Sequence, residues 1–164
     1  GKYKCVHGHF LPIKYLLLSE KTEVKFITWM RDPIERMLSH YHYWRRSYDP
    51  KRAIPHHKKF MEENWSLERF CLGPEFRNIY NQYLWGFPLK NFEFIGIVEH
   101  YQEDFIIFSR EFLGTNLPSF QMNVSGAIGK KHPIDEQLRK KIEQHHIEDI
   151  KLYKECLRIR QNRI

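Results

Sequence analysis

The chain contains 164 residues, of which 41% are hydrophobic and 15% aromatic, and it carries a formal net charge of +7 at pH 7. This length suits one domain with its own core, and the apolar content excludes an intrinsically disordered chain. No uninterrupted apolar run of about 18 residues occurs, so no membrane span is predicted. The positive charge favours an anionic partner such as a nucleotide, an acidic glycan or a nucleic acid. The three cysteines are odd in number and far apart, which argues against a disulfide framework.

Short strands and helices are predicted to alternate through the first part of the chain. The expected elements are a strand over 3–6, a helix over about 11–19, a strand over 24–30 and a long helix over about 33–46. The 24–30 run is β-branched and aromatic with almost no polar residue, which is typical of a central strand covered on both faces. Asp32 is a favourable N-cap, and Pro33 is a favourable first residue for the helix that follows.

The rest of the chain is predicted to contain a polar loop, a second strand and several helices. The segment 48–64 carries two prolines and several cations, and we interpret it as an excursion loop. Either it contacts an acidic acceptor or it is a solvated surface loop. The expected elements after it are helices over 66–71 and 74–86, a central strand over 92–98, a helix over 102–113 closed by Gly114, and a final helical region from Asp135 to about Arg160 that is broken near His145 and His146.

The turn between the 24–30 strand and the long helix is the strongest candidate site. Arg31 follows the strand directly, and Ser39 lies two turns into the helix. Strand ends that open onto helix starts bind phosphorylated ligands in α/β sheets. An arginine fork together with a hydroxyl suits a phosphate monoester. The alternative is an ion pair between Arg31 and Asp32 at the corner, and the residues alone leave both interpretations open.

The run Arg31-Asp-Pro-Ile-Glu-Arg-Met-Leu-Ser39-His-Tyr resembles the 3′-phosphate-binding motif of sulfotransferases. These enzymes use 3′-phosphoadenosine 5′-phosphosulfate (PAPS) as donor. The resemblance implies that Arg31 and Ser39 hold the 3′-phosphate of the nucleotide. It also implies an α/β, three-layer fold related to P-loop nucleotide kinases with a small parallel sheet. The implied reaction is sulfuryl transfer from PAPS to a hydroxyl, and the resemblance requires no metal.

A histidine pair near the start of the chain is the candidate catalytic element. The segment Cys5-Val-His7-Gly-His9 resembles the His-Gly-His segment of uronyl and heparan 2-O-sulfotransferases. The resemblance implies that His9 takes the proton of the attacking hydroxyl, with His7 assisting or orienting it. A histidine suits this role because its unperturbed pKa of about 6.5 leaves it mostly neutral near pH 7. The implied acceptor is a carbohydrate, and acidic carbohydrates belong to this class. The residues alone also allow two other interpretations: the histidines are structural, or they form a weak metal site with Cys5.

A basic glycine loop near the carboxyl end is the third candidate element. The sequence Gly129-Lys130-Lys131-His-Pro resembles the loop that folds over the nucleotide in carbohydrate sulfotransferases. The resemblance implies that Gly129, Lys130 and Lys131 contact the donor. The alternative is a solvated basic loop.

Two departures from the family pattern are visible. Tyr80 and Gln82 stand where glutamine and arginine are usual in a helix of these enzymes. No phosphosulfate loop with lysine and threonine precedes His7. We therefore interpret residues 1–164 as a single sulfotransferase domain that lacks its first β-α unit at the amino terminus.

Two other functional classes stay open beside the transferase. One is a catalytically impaired binder of 3′-phosphoadenosine 5′-phosphate (PAP) or of sulfated glycan. The other is a basic nucleic-acid-binding domain, but no recognised nucleic-acid motif occurs, so we expect no nucleic-acid partner. The expected compartment is the cytoplasm for a bacterial protein and the Golgi lumen for a eukaryotic one. The oligomeric state is not predicted.

Overall fold

The computed structural model describes residues 5–8, 11–115, 117 and 133–163, which form eight α-helices and a two-stranded sheet. In chain order the helices and strands are α1 (Leu16–Ser19), β1 (Phe26–Met30), α2 (Pro33–Arg46), α3 (Pro55–Glu62), α4 (Leu67–Leu72), α5 (Ile79–Tyr83), β2 (Phe92–Ile97), α6 (Tyr101–Leu113), α7 (Glu136–His145) and α8 (Ile147–Arg163). Short 3₁₀ turns cover Pro12–Tyr15, Pro74–Phe76, Leu89–Asn91 and Val98–His100.

Most predicted elements are confirmed with small shifts at their ends. The helix α2 begins at Pro33, where the Asp32 side chain caps it, and ends at Arg46 as expected. The helix α6 ends at Gly114, which has a φ of 65° and closes the helix in the left-handed conformation. The predicted break near His145 and His146 separates α7 from α8.

Three local predictions are wrong. The single helix expected over 74–86 is divided into the 3₁₀ turn Pro74–Phe76 and the five-residue α5, because Asn78 between them adopts a left-handed φ of 48°. The segment 48–64 is not an excursion loop, because residues 55–62 form α3. Two residues bury the inner face of α3: His57 stacks on Trp44, with ring centroids 4.5 Å apart, and Phe60 lies in the core. The strand expected over 3–6 is absent at Cys5 and Val6, which have irregular, exposed backbone, and residues 3 and 4 lie outside the described residues.

The sheet consists of β1 and β2, paired in parallel with Trp29 opposite Gly96 and Met30 opposite Ile97. This confirms an α/β chain with a small parallel sheet, whereas the closer likeness to P-loop kinases stays a prediction. The expectation of central strands is wrong for the described residues, since each strand pairs with only one neighbour there. Four of the five β1 residues are accordingly only half-buried.

Helices cover both faces of this sheet. On one face, Trp29 and Phe94 pack against Phe108 of α6, with ring centroids 5.6–6.2 Å from it. On the other face, Ile95 and Ile97 cluster with the α8 residues Tyr153 and Cys156. Gly96 is required beneath Trp29, because a Cβ at position 96 would overlap the indole ring.

Two buried clusters meet where β1 leads into α2. The sheet cluster contains Met30, which is the last residue of β1. The helical cluster contains Ile34, from the first turn of α2, together with side chains of α3, α4, α7 and α8. The turn of Arg31 and Asp32 therefore lies between the two clusters, and packing on both sides determines its position. Among the helices that the structure describes, none is long and apolar enough to cross a bilayer.

Candidate functional site

The start of α2 is capped by the chain itself. The Asp32 carboxylate accepts hydrogen bonds from the backbone N–H groups of Ile34 (2.9 Å) and Glu35 (3.0 Å). Pro33 at the first helical position has no N–H. The amides that a phosphate would use at a bare helix N-terminus are therefore already engaged. Any anion bound here must rely on side chains.

Tyr80 of α5 holds the peptide groups of Arg31. The Arg31 backbone N–H donates to the Tyr80 hydroxyl oxygen at 3.1 Å, and the Tyr80 hydroxyl donates to the Arg31 carbonyl at 3.2 Å. Burial raises the pKa of Tyr80 to about 12, so the phenol keeps its proton over the whole neutral range. The backbone of Arg31 is thus held on both sides while its side chain is left for other contacts.

Glu99 holds the next peptide group from the end of β2. Its carboxylate accepts the backbone N–H of Asp32 at 3.0 Å on one oxygen and the hydroxyl of Tyr153 at 2.9 Å on the other. Burial and the Glu99 carboxylate raise the pKa of Tyr153, so this tyrosine stays a hydrogen-bond donor. Because both carboxylate oxygens are used, Glu99 positions the turn.

The fully buried Asp149 of α8 holds α5 in place. Its two carboxylate oxygens accept the backbone N–H groups of Tyr80 (3.1 Å) and Asn81 (2.9 Å), at the start of that helix. Asn78, just before α5, has a φ of 48° in the left-handed region, which asparagine tolerates better than most residues. Tyr80 therefore depends on α8 through Asp149, just as Glu99 depends on α8 through Tyr153.

His146 completes this support as a neutral imidazole. Its Nδ1 accepts the backbone N–H of Asn78 at 3.3 Å, and its Nε2 lies 2.8 Å from the carbonyl oxygen of Cys71. Because Nδ1 accepts a hydrogen bond and Nε2 faces a carbonyl oxygen, the ring proton must lie on Nε2. Burial lowers the pKa of His146, which favours the neutral form.

The two predicted phosphate ligands lie on this strand–helix unit with their side-chain donors available. Arg31 and Ser39 are both half-buried. Over the ranges 5–8, 11–115 and 133–163, neither side chain has a hydrogen-bond or ion-pair partner, and Arg31 does not pair with Asp32. Among the described residues, the arrangement therefore presents an unpaired guanidinium just after a parallel strand and a hydroxyl in the helix that follows.

The other predicted site residues are not brought to this turn by any described contact. His7 is exposed, in irregular backbone next to exposed Cys5. His9 and the loop residues Gly129, Lys130 and Lys131 lie outside the described residues. The described part of the chain also contains no group of three or more histidine, cysteine, aspartate or glutamate side chains that could hold a metal ion.

Comparison with known proteins adds no relative to this description. No protein-family model matches the chain, and no curated protein or solved structure matches it either.

Proposed function

We propose that this end of the sheet binds the 3′-phosphate of an adenosine nucleotide. On this proposal the protein is a sulfotransferase, which moves a sulfuryl group from PAPS to a hydroxyl of an acceptor, with carbohydrate as the acceptor class. The observation that carries the proposal is Arg31, which follows β1 with its peptide groups held by Tyr80 and its guanidinium unpaired among the described residues. A guanidinium on a backbone that is held in place suits the planar, bidentate recognition of a phosphate.

Ser39 supports the same proposal from the following helix. Three positions after Arg36 and eight after Arg31, its hydroxyl can add a neutral donor to a phosphate held by an arginine. Asp32 accepts hydrogen bonds from the free amides at the start of α2, so side chains have to supply the donors to a phosphate. Arg31 and Ser39 both carry such donors. The basic loop with Gly129, Lys130 and Lys131 is proposed to close over the nucleotide, as the resemblance implies.

The proposed reaction is an in-line transfer. The acceptor oxygen forms a bond to the sulfur of PAPS while the bond from sulfur to the bridging oxygen of the 5′-phosphate breaks. The hydroxyl proton passes to His9, and PAP leaves with the electron pair of the broken bond. Arg31 and Ser39 hold the donor through its 3′-phosphate, away from the bond that breaks, so they act by positioning it.

Isothermal titration calorimetry with PAP and with adenosine 5′-monophosphate tests the proposed binding. The two nucleotides differ only in the 3′-phosphate, so their affinity ratio isolates recognition of that group. We expect the wild-type protein to prefer PAP by at least about tenfold, which corresponds to about 1.4 kcal/mol. Equal affinity for the two nucleotides would sink the proposal.

The catalytic half of the proposal has a separate test. Sulfuryl transfer from labelled PAPS to glycan acceptors is measured for a form that carries a phosphosulfate loop upstream of His7, and for its His9→Ala variant. A lost general base lowers a rate by about 10²–10⁴, and affinity for PAP should not change because the histidine serves the acceptor. Tight PAP binding without any transfer, in a form that carries the phosphosulfate loop, would instead identify a nucleotide-binding protein.

A further inference from the structure

Arg36 is a partly buried cation that has no carboxylate partner among the described residues. Within the described part of the chain, its Nε is buried without a hydrogen-bond partner, and its Nη2 lies 3.8 Å from the sulfur of Met37. A buried charge is normally paired, because its removal from water costs several kcal/mol. A buried donor without a partner therefore calls for a ligand or another explanation.

The other buried or half-buried arginines show that this chain does pair such cations. Six described arginines belong to this group, and four of them form ion pairs: Arg69 with Glu75, Arg139 with Glu35, and Arg160 and Arg163 with Asp104. The two that form none are Arg31 and Arg36. Both belong to the same strand–helix unit, so the unpaired cations are concentrated at one place.

Tyr80 contacts both of these arginines. Its hydroxyl holds the peptide groups of Arg31, and its ring lies under the Arg36 guanidinium, 4.6 Å from Cζ to the ring centroid. Stacking on an aromatic face leaves the edge of a guanidinium free for hydrogen bonds. The positive charge of Arg36 reaches two neighbouring histidines: His40 and His146 both have lowered pKa values, mainly through burial and in part through this charge.

We propose that Arg36 is a second ligand for the anion that Arg31 binds. This inference rests on the proposed function and adds to it a second guanidinium for the 3′-phosphate, oriented by Tyr80. A phosphate monoester carries a charge of about −1.5 to −2 near pH 7, so one arginine does not balance it. Since the α2 amides are capped by Asp32, the balance has to come from another side chain.

Arg36→Met tests this inference through two readouts with opposite signs. The variant removes an unpaired charge but keeps an apolar chain to lie on Tyr80. The melting temperature of the free protein should therefore stay the same or rise. The affinity for PAP should fall at least tenfold, while the affinity for adenosine 5′-monophosphate should stay the same. Arg36→Lys keeps the charge without the planar fork, and its affinity should lie between those of Arg36→Met and the wild type.

Arg45→Met is the matched control on the same helix. The Arg45 guanidinium donates to the side chain of Asn64 and to the carbonyl of Trp65, and it stacks on Tyr41 at 5.2 Å. This variant should lose stability and keep its affinity for PAP, which is the pattern of a structural arginine.

The same pattern in Arg36→Met would overturn the inference, and so would unchanged PAP affinity in both Arg36 variants. If PAP preference is present in the wild type, lost in Arg31→Ala and kept in Arg36→Met, the inference fails while the proposed function stands. If the wild type shows no preference for PAP, both fail.

Discussion

Arg31 has an ordered backbone, and its side chain has no partner in the part of the chain that the structure describes. Tyr80 engages both of its peptide groups, and Glu99 engages the N–H of the next residue. The turn therefore loses its conformational entropy when the chain folds, and ligand binding does not have to order it. A guanidinium attached to such a backbone is better prepared for binding than one on a free loop.

Arg31→Ala and Ser39→Ala should weaken PAP binding by different amounts. Loss of a charged hydrogen bond costs about 1.5–3 kcal/mol, and loss of a neutral one about 0.5–1.5 kcal/mol. We therefore expect the larger loss of affinity in Arg31→Ala, measured by calorimetry.

Two exposed residues at the end of α2 serve as controls for these variants. Arg46→Ala removes an exposed guanidinium, and Ser47→Ala removes a hydroxyl that donates to the Tyr43 carbonyl. Neither should change PAP affinity. Equal affinity in Arg31→Ala and the wild type, with the fold intact, would contradict the assignment of Arg31.

At the scale of elements, α5 is the weakest part of the support. It has five residues, too few to be stable as an isolated helix. Asp149 satisfies two amides at its start, and His146 satisfies the amide of Asn78 just before it. The position of Tyr80, and through it that of Arg31, thus depends on one buried carboxylate from α8.

Asp149→Asn tests this dependence. An asparagine offers one acceptor oxygen where the aspartate offers two, so one amide at the start of α5 is left unsatisfied. We expect a loss of stability of about 1–3 kcal/mol in urea unfolding, the cost of such a buried donor, and weaker PAP binding.

Asp135→Asn is the control for this change at a surface cap. Asp135 accepts the backbone N–H of Leu138 at the start of α7, and asparagine caps a helix about as well as aspartate. It should change neither stability nor affinity appreciably. If Asp149→Asn loses stability but binds PAP like the wild type, α5 does not control the site.

The elements that could be predicted from the sequence are those with local signals. Asp32 and Pro33 mark the start of α2, Ser66 marks the start of α4, and Gly114 marks the end of α6. The helix α3 was missed because its inner face depends on a contact with Trp44, which no spacing within residues 55–62 reveals.

The residues of the candidate site also fall into two groups: those with a local sequence signal and those without one. Arg31 and Ser39 belong to one short motif, so the sequence could nominate them. The residues that position the motif lie far along the chain: Tyr80 is 49 residues from Arg31, and Asp149 is 69 residues from Tyr80. Their carboxylate and hydroxyl groups have no local partner, so only the tertiary structure identifies their role.

At the scale of the whole molecule, the half-buried His40 and the buried His146 link the fold to pH. Burial, with smaller contributions from the charges of Arg36 and His57, lowers the pKa of His40 to about 4. Burial also lowers the pKa of His146. Both groups stay neutral in the folded protein at pH values where the unfolded chain binds protons, so acid favours the unfolded state.

The free energy of unfolding should therefore fall as the pH falls below about 6.5, the unperturbed value for histidine. For His40 the loss continues down to about pH 4 and amounts to about 2–3 kcal/mol, at up to about 1.4 kcal/mol per pH unit. Urea unfolding at several pH values between 7.5 and 4 measures this slope. The loss from Glu75, whose pKa a hydrogen bond from Arg69 lowers to about 2, comes only below about pH 4.5.

A variant separates His40 from other acid-sensitive groups. His40→Gln should flatten the slope between pH 6.5 and 4, whereas His56→Gln, at an exposed position of α3, should leave it unchanged. A wild-type slope that survives in His40→Gln would show that another group causes the loss.

Phosphorus NMR of PAP tests the central claim most directly, because the 3′- and 5′-phosphates give separate resonances. Titration with the wild-type protein should shift and broaden the 3′-phosphate resonance more than the 5′-phosphate resonance. The second pKa of the bound 3′-phosphate should fall below its usual value of about 6, since nearby guanidinium groups favour the dianion. Both effects should disappear with Arg31→Ala. A response centred on the 5′-phosphate, or one that Arg31→Ala does not alter, would contradict the account.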